Sequence, residues 1–172
     1  MAIKRNFPPK TATVHCSGGC RAKKNESGEL LCAYGCIGCG VCAETCKFDA
    51  IHINDLGCAE VDEEKCISCG ACVRKCPRGI IALRREADRI AVLCSNRDKG
   101  FDPATKTGAR TVCDVSCIAC GVCVKKCPAD AIHVEDFRAV IDYEKCLSCG
   151  ACAVACPRHV IHDRFGILTD RR

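Results

Sequence analysis

Cysteine is the residue type that this sequence concentrates, at 22 of its 172 residues. Sixteen of these cysteines form four runs with the spacing C-x2-C-x2-C-x3-C, which begin at Cys36, Cys66, Cys117 and Cys146. Three thiolates at positions i, i+3 and i+6 of a tight loop can bind three irons of one [4Fe-4S] cluster. Zinc sites also use C-x2-C pairs, but they do not need a third cysteine three residues further on. The runs therefore predict four [4Fe-4S] clusters.

The spacing also predicts which cysteines share a cluster. In bacterial two-cluster runs of this kind, the fourth cysteine of one run ligates the cluster of the other run. We name the resulting groups the first to fourth ligand sets. In order, they are Cys36, Cys39, Cys42 and Cys76; Cys66, Cys69, Cys72 and Cys46; Cys117, Cys120, Cys123 and Cys156; and Cys146, Cys149, Cys152 and Cys127.

Six further cysteines lie outside the four runs, and the sequence leaves three interpretations of them open. They can be thiols that pack as small apolar groups, redox-active thiols, or ligands of an additional metal site. A fifth cluster would take Cys16, Cys20, Cys32 and Cys58 from the first half of the chain. A site shared between the halves would instead take Cys16, Cys32, Cys94 and Cys113.

Composition and charge exclude several classes of protein. The formal charge of +5 would suit a nucleic-acid partner, but the basic residues are scattered and aromatic residues make up only 4% of the chain. Nucleotide-binding glycine motifs are absent from the sequence, and no catalytic residue is predicted. No apolar run approaches the ~18 residues of a membrane span, and the start lacks the apolar segment of a signal peptide. We therefore expect a cytoplasmic protein without direct membrane insertion, in which the cysteines bind metal.

The chain repeats itself with a period of about 80 residues. The segment FDAIHIND at 48–55 returns as ADAIHVED at 129–136, and EKCISCGAC at 64–72 returns as EKCLSCGAC at 144–152. Alternating or β-branched residues predict strands at 11–16 and 89–93 and a hairpin in each copy. Short helices are expected near 40–47, 70–76, 121–127 and 150–156. The predicted organisation is an extension at 1–30, a first unit at 31–84, a strand and loop connector at 85–111 and a second unit with its tail at 112–172.

Each copy resembles the bacterial-type 2[4Fe-4S] ferredoxin over residues 31–84 and 112–168. The resemblance implies an α+β fold of tandem β-α-β-β-α-β units. The match is more specific to the ferredoxin region of the B subunit of Rnf-type electron-transport complexes. It is carried by Tyr34-Gly35-Cys36-Ile37-Gly38, by FDAIHI, by VLCSNRDKG at 92–100 and by VHCSGGC at 14–20. Since the membrane helix of that protein is not found here, a location peripheral to a membrane through a complex is expected.

These observations favour an electron-transfer subunit, a four-cluster wire within a larger oxidoreductase complex. The expected partners are flavin- or Fe–S-containing redox subunits, or a small acidic ferredoxin, and the extension at 1–30 is expected to dock on a partner. The alternatives are a freely diffusing polyferredoxin and a regulatory or structural Fe–S protein. Four paired sites favour conduction, because a sensor needs only one.

Overall fold

Short strands and helices follow one another in the same order in both halves of the chain, except that the second half has one additional helix after its first strand. The structure is a computed structural model, and it describes residues 10–18, 24–100, 104, 108–166 and 168. The first copy contains β1 (Lys10–Val14), α1 (Val41–Thr45), β2 (Ile51–Ile53), β3 (Ala59–Val61), α2 (Ala71–Lys75) and β4 (Ile81–Arg85). The second contains β5 (Ile90–Val92), α3 (Ala109–Val112), α4 (Val122–Lys126), β6 (Ile132–Glu135), β7 (Arg138–Ile141), α5 (Ala151–Ala155) and β8 (Ile161–Asp163).

The four helices that follow cysteine loops lie where the sequence predicts them. Each begins directly after a glycine in the left-handed region, with φ of 80° at Gly40, 71° at Gly70, 71° at Gly121 and 75° at Gly150. A β-carbon is disfavoured in that conformation, so the glycine lets the loop turn into the helix. Each helix ends one residue before the last cysteine of its run, which returns the chain to an extended backbone.

The outer strands of each copy pair with each other. Strand β1 is antiparallel to β4, with Val14 opposite Ile81, and β5 is antiparallel to β8, with Ile90 opposite Asp163. The inner strands form the expected hairpins, β2 with β3 and β6 with β7. Strand pairing therefore draws part of the 1–30 extension and part of the 85–111 connector into the sheets, beyond the unit boundaries that the repeats suggested.

Two apolar cores, one in each copy, are built from small side chains and cysteines. The first contains Val14, Ile51 and Ile81 together with Cys42 and Cys66. The second is organised in the same way around four side chains from β5, β6 and β8 and the segment before β8: Ile90, Ile132, Val160 and Ile161. Among the described residues, the largest fully buried side chains include no aromatic ring. The cysteines are therefore part of each core rather than an addition to its surface.

Polar contacts join the two copies. Arg164, with only 8% of its surface exposed, donates from Nε to Glu63 at 2.6 Å and from Nη2 to the Thr11 hydroxyl at 2.6 Å. His15 Nδ1 lies 2.9 Å from the Val92 carbonyl oxygen. These bonds hold the β1 region and the residues after β3 against β5 and against the residue that follows β8. None of the helices in the described part of the chain has the length and apolar character needed to cross a membrane.

Candidate metal centres

The first ligand set lines a partly open cavity, in which the space free of protein atoms is about 340 Å³ with its solvent-open part included. Cys36, Cys39 and Cys42 line it from the loop and from α1, while Cys76 reaches it from the end of α2. Ile53, Ala59, Ile80 and Ile81 complete the apolar wall. The cavity is thus lined by cysteines from both runs of the first copy.

Two other sets line cavities of the same kind. Cys46 faces a cavity of about 370 Å³ together with Cys66, Cys69 and Cys72. In the second copy, a cavity of about 340 Å³ is lined by the third set, Cys117, Cys120, Cys123 and Cys156. The matching four-thiol linings indicate that the three cavities suit the same occupant.

The fourth set is brought together by α4 and α5. Burial is the main cause that raises the pKa of Cys152 to about 11, and the neighbouring thiolates of Cys146, Cys123 and Cys127 raise it further, in that order. Cys127 and Cys146 both pack against the second apolar core, to which Cys152 belongs, although the run of Cys127 begins at Cys117. Cys149, the second loop cysteine of this set, is exposed.

The donor chemistry of the cavities fits [4Fe-4S] clusters. Soft thiolates select iron–sulfur clusters, zinc or copper(I), and no carboxylate or imidazole lines the three cavities. Within the described ranges, no three His, Cys, Asp or Glu side chains are gathered around a point that could hold one metal ion. Four thiols line each of the three cavities instead, and four thiolates are what a [4Fe-4S] cluster requires.

Burial raises the pKa of the third cysteine of every run. The effect brings the pKa of Cys123 to about 11, and it also raises the pKa values of Cys42 and Cys72. A bare thiolate is unfavourable at these positions because burial disfavours its charge. Metal coordination removes that penalty, since it deprotonates a coordinating thiol outright.

Backbone amides donate hydrogen bonds to sulfur at matching places in the two copies. The amide of Ala59 donates to Cys36 Sγ at 3.4 Å, and that of Ala139 donates to Cys117 Sγ at 3.4 Å. The last cysteine of the first run in each copy also accepts a backbone hydrogen bond. The Ala50 amide donates to Cys46 Sγ at 3.4 Å, and the Ala131 amide donates to Cys127 Sγ at 3.3 Å. Hydrogen bonds to cluster sulfurs are one of the factors that set reduction potential.

Among the six cysteines outside the runs, Cys16 and Cys94 occupy equivalent places beside a ligand set. Cys16 Sγ accepts from the amide of Cys36 at 3.4 Å, and Cys94 Sγ accepts from the amide of Cys117 at 3.3 Å. Cys58 donates from Sγ to the Cys16 carbonyl at 3.3 Å. A hydrogen bond between the Cys58 and Cys16 side chains lowers the pKa of the Cys16 thiol to about 7. At Cys94, burial raises the pKa of the thiol to about 12.

Two of the remaining three cysteines lie together in a small apolar cluster. Cys32 and Cys113 are both buried and pack in one cluster with Tyr34, Val112 and Val115. The side-chain amide of Asn96 lies 3.6 Å from Cys32 Sγ. Cys20 lies outside the described residues. An additional site that includes Cys20 is therefore a hypothesis from the sequence alone.

Sequence reasoning did not find the buried polar residues that fix the end of the second copy. The sequence analysis places Asp163 and Arg164 in the C-terminal tail of the second unit. In the structure both residues are buried, and Asp163 is 0% exposed. A signal was available in the repeat: Arg164 matches Arg84, whereas Asp163 stands where the first copy has Leu83. A carboxylate that replaces a leucine at an equivalent strand position indicates a local function specific to the second copy.

Comparisons with known proteins agree with this geometry. Three models of the "4Fe-4S dicluster domain" match residues 35–80, 58–128 and 116–161. The chain is therefore an iron–sulfur protein of the ferredoxin type, built from 4Fe-4S dicluster domains.

Its ferredoxin region resembles the B subunit of Rnf-type electron-transport complexes. It is 44% identical to the B subunit of the Na(+)-translocating ferredoxin:NAD(+) oxidoreductase complex of Acetobacterium woodii, over 79% of this chain and 44% of that protein. It is 43% identical to the B subunit of the ion-translocating oxidoreductase complex of Methanosarcina acetivorans, over 66% of this chain and 41% of that protein. The B subunit of the proton-translocating ferredoxin:NAD(+) oxidoreductase complex of Clostridium ljungdahlii is 35% identical, over 78% of this chain and 51% of that protein. The chain spans about half the length of these relatives.

Proposed function

We propose that the chain is an electron-transfer subunit of an oxidoreductase complex and that it carries four [4Fe-4S] clusters in two ferredoxin-like β-α-β-β-α-β units. The observation that carries the proposal is the shared lining of the cavities, where the last cysteine of one run faces the loop cysteines of the other. This is the ligation pattern of two-cluster ferredoxins. The assignment uses the four ligand sets in full.

When bound, such clusters accept and release single electrons. The protein supplies the thiol ligands, the amide donors to sulfur and the apolar walls that limit water. Cluster potentials depend on these hydrogen bonds and on burial. The proposed partners are redox subunits that carry flavin or Fe–S centres, or a small acidic ferredoxin. The similarity to subunits of ion-translocating complexes supports a place on a complex at a membrane.

Iron and sulfide analysis tests the cluster count. Protein purified without oxygen is expected to contain about sixteen iron and sixteen sulfide per chain, four of each for every cluster. A value near twenty would indicate a fifth cluster built from the cysteines outside the runs. A value near eight, with zinc making up the difference, would contradict the proposal.

A second prediction concerns the net charge. Each oxidised cluster with four thiolates adds about −2, so four of them would change the formal charge from +5 to roughly −3. The holo-protein is expected to migrate as a mildly acidic protein despite a sequence pI of about 8.3. The exposed basic pairs at the ends of α2 and α4, Arg74 with Lys75 and Lys125 with Lys126, remain available to an acidic partner.

Electron exchange with a small acidic ferredoxin should therefore slow steeply as salt is added, because screening weakens steering. The measurement is stopped-flow reduction across a salt series. Binding of the same holo-protein to DNA and RNA is the comparison, and we expect none of significance. Tight, salt-dependent nucleic-acid binding together with salt-independent electron exchange would contradict this interpretation of the charge.

A further inference from the structure

The Asp163 carboxylate is surrounded by donors at the end of β8. Arg89 binds it with two nitrogens, from Nε to Oδ1 at 2.6 Å and from Nη2 to Oδ2 at 2.5 Å. The backbone amides of Phe165 and Leu168 donate to the same carboxylate at 3.2 and 3.0 Å. These bonds hold the pKa of Asp163 well below its ordinary value, and the bond from Arg89 has the largest effect. The carboxylate is therefore ionised at neutral pH.

The bonds from Phe165 and Leu168 bring these two residues back over the second copy. The Gly166 amide adds a bond to the Asp163 carbonyl oxygen at 3.0 Å, and the Arg89 guanidinium lies 5.9 Å from the centre of the Phe165 ring. Leu168 is thereby placed against Gly150, where its side chain fills the space that a β-carbon on Gly150 would occupy. Gly150 is the residue between Cys149 and α5 in the loop of the fourth ligand set.

The first copy covers the equivalent glycine in a simpler way. Leu83 pairs with Ala12 in the outer sheet, just as Asp163 pairs with Ile90, so the two positions are equivalent. The β-carbon position of Gly70 lies 3.1 Å from Arg74 Nη1 and 3.7 Å from the Leu83 side chain, which also lines the cavity of the second ligand set. A leucine therefore packs against the loop glycine in both copies, but in the second copy it comes from five residues further along the chain.

We propose that Asp163 is a positioning residue that holds Leu168 over the loop of the fourth ligand set and limits the access of water to the cluster bound there. The inference rests on the proposed cluster at Cys127, Cys146, Cys149 and Cys152. An apolar cover excludes water, which protects the cluster from hydrolysis and oxidation and lowers the effective polarity around it. Since reduction adds negative charge, and water stabilises that charge, loss of the cover makes the reduction potential of this cluster less negative.

The test uses thiol alkylation of the holo-protein during controlled exposure to oxygen, followed by mass spectrometry of each cysteine. A ligated thiolate is protected, and it reacts when its cluster is lost. Leu168→Ala is expected to speed alkylation of Cys149 about fivefold, the equivalent of about 1 kcal/mol of lost apolar cover, with Cys69 unchanged. Leu83→Ala is the matched control, and it should speed alkylation of Cys69 with Cys149 unchanged.

Two further variants separate positioning from general destabilisation. Asp163→Asn should act as Leu168→Ala does, because the neutral amide holds Arg89 and the Leu168 amide less tightly. The double variant Asp163→Leu with Leu168→Ala gives the second copy the leucine of the first, and it should restore slow alkylation of Cys149. A redox titration followed by electron paramagnetic resonance should show one cluster with a less negative potential in Leu168→Ala.

Unchanged alkylation of Cys149 in Leu168→Ala, or equal acceleration at all four ligand sets, would overturn the inference. The failure of the proposed function has a different signature, since the wild-type protein would then lack the expected iron and its ligand cysteines would react at once. Wild-type protein with four protected sets but no response to Leu168→Ala would refute the cover alone.

Discussion

Removal of iron and sulfide is expected to unfold both copies of the chain. The cores hold few large side chains, and the cysteines of the ligand sets are among their buried members, such as Cys42 and Cys66 in one core and Cys117 and Cys123 in the other. Without clusters, the side chains that line the three cavities would lose the contacts across them. When ligands form the core, metal binding and folding are the same event.

Amide hydrogen exchange measures this effect directly. Chelated, metal-free protein should lose nearly all protection in β1–β4 and β5–β8, and reconstitution with iron and sulfide under reducing conditions should restore it. Protein carried through the same procedure without chelator is the control. A metal-free sample that retains the exchange protection of the holo-protein would show that the apolar residues alone sustain the fold.

Replacement of Cys76 by alanine is expected to damage the first ligand set and to leave the second intact. Cys76 belongs in sequence to the run that begins at Cys66, but in space it lines the cavity of Cys36, Cys39 and Cys42. Since a [4Fe-4S] cluster is held by four thiolates, loss of this ligand is expected to remove the cluster. Alkylation of this variant should therefore mark Cys36, Cys39 and Cys42, while Cys66, Cys69 and Cys72 stay protected.

The chain offers two controls for this experiment. Cys156→Ala should have the same effect in the second copy, with labels on Cys117, Cys120 and Cys123. Cys58→Ala removes a cysteine that is 2% exposed but belongs to no ligand set, so it controls for packing. Labels on Cys66, Cys69 and Cys72 in Cys76→Ala, with the first set still protected, would refute the crossed assignment.

Local features of the fold could be predicted from the sequence because their causes are local. The glycine after the second cysteine of a run adopts a left-handed turn, and the cluster helices begin there, as at Gly40 and Gly121. The β-branched residues near 11–16 and 89–93 form strands. The spacing also named the thiols that line three cavities, and the clusters themselves stay a prediction for iron analysis.

Features that depend on distant contacts could not be predicted. Nothing in the 1–30 segment shows that its strand pairs with β4, because the partner lies some seventy residues away. Helix α3 has only four residues, which are too few to show a helical pattern of apolar residues. The carbonyl groups of Ala109 in this helix and of Cys113 directly after it accept hydrogen bonds from the buried Ser116 hydroxyl, which lies outside the helix. The hydrogen bonds that Asp163 accepts from Arg89 and from the Leu168 amide could not be predicted for the same reason, since these residues meet only in the folded chain.

The exchange of cysteines between runs has a consequence for how such a chain can grow. Because each cavity in the first copy takes three thiols from one run and one from the other, a single run in isolation could complete no site. Deleting one run would therefore disable two centres, and inserting one run would add none that is whole. The smallest segment that can be duplicated with complete sites is therefore a pair of runs. Duplication of such a pair would leave similar segments about 80 residues apart, as this sequence has.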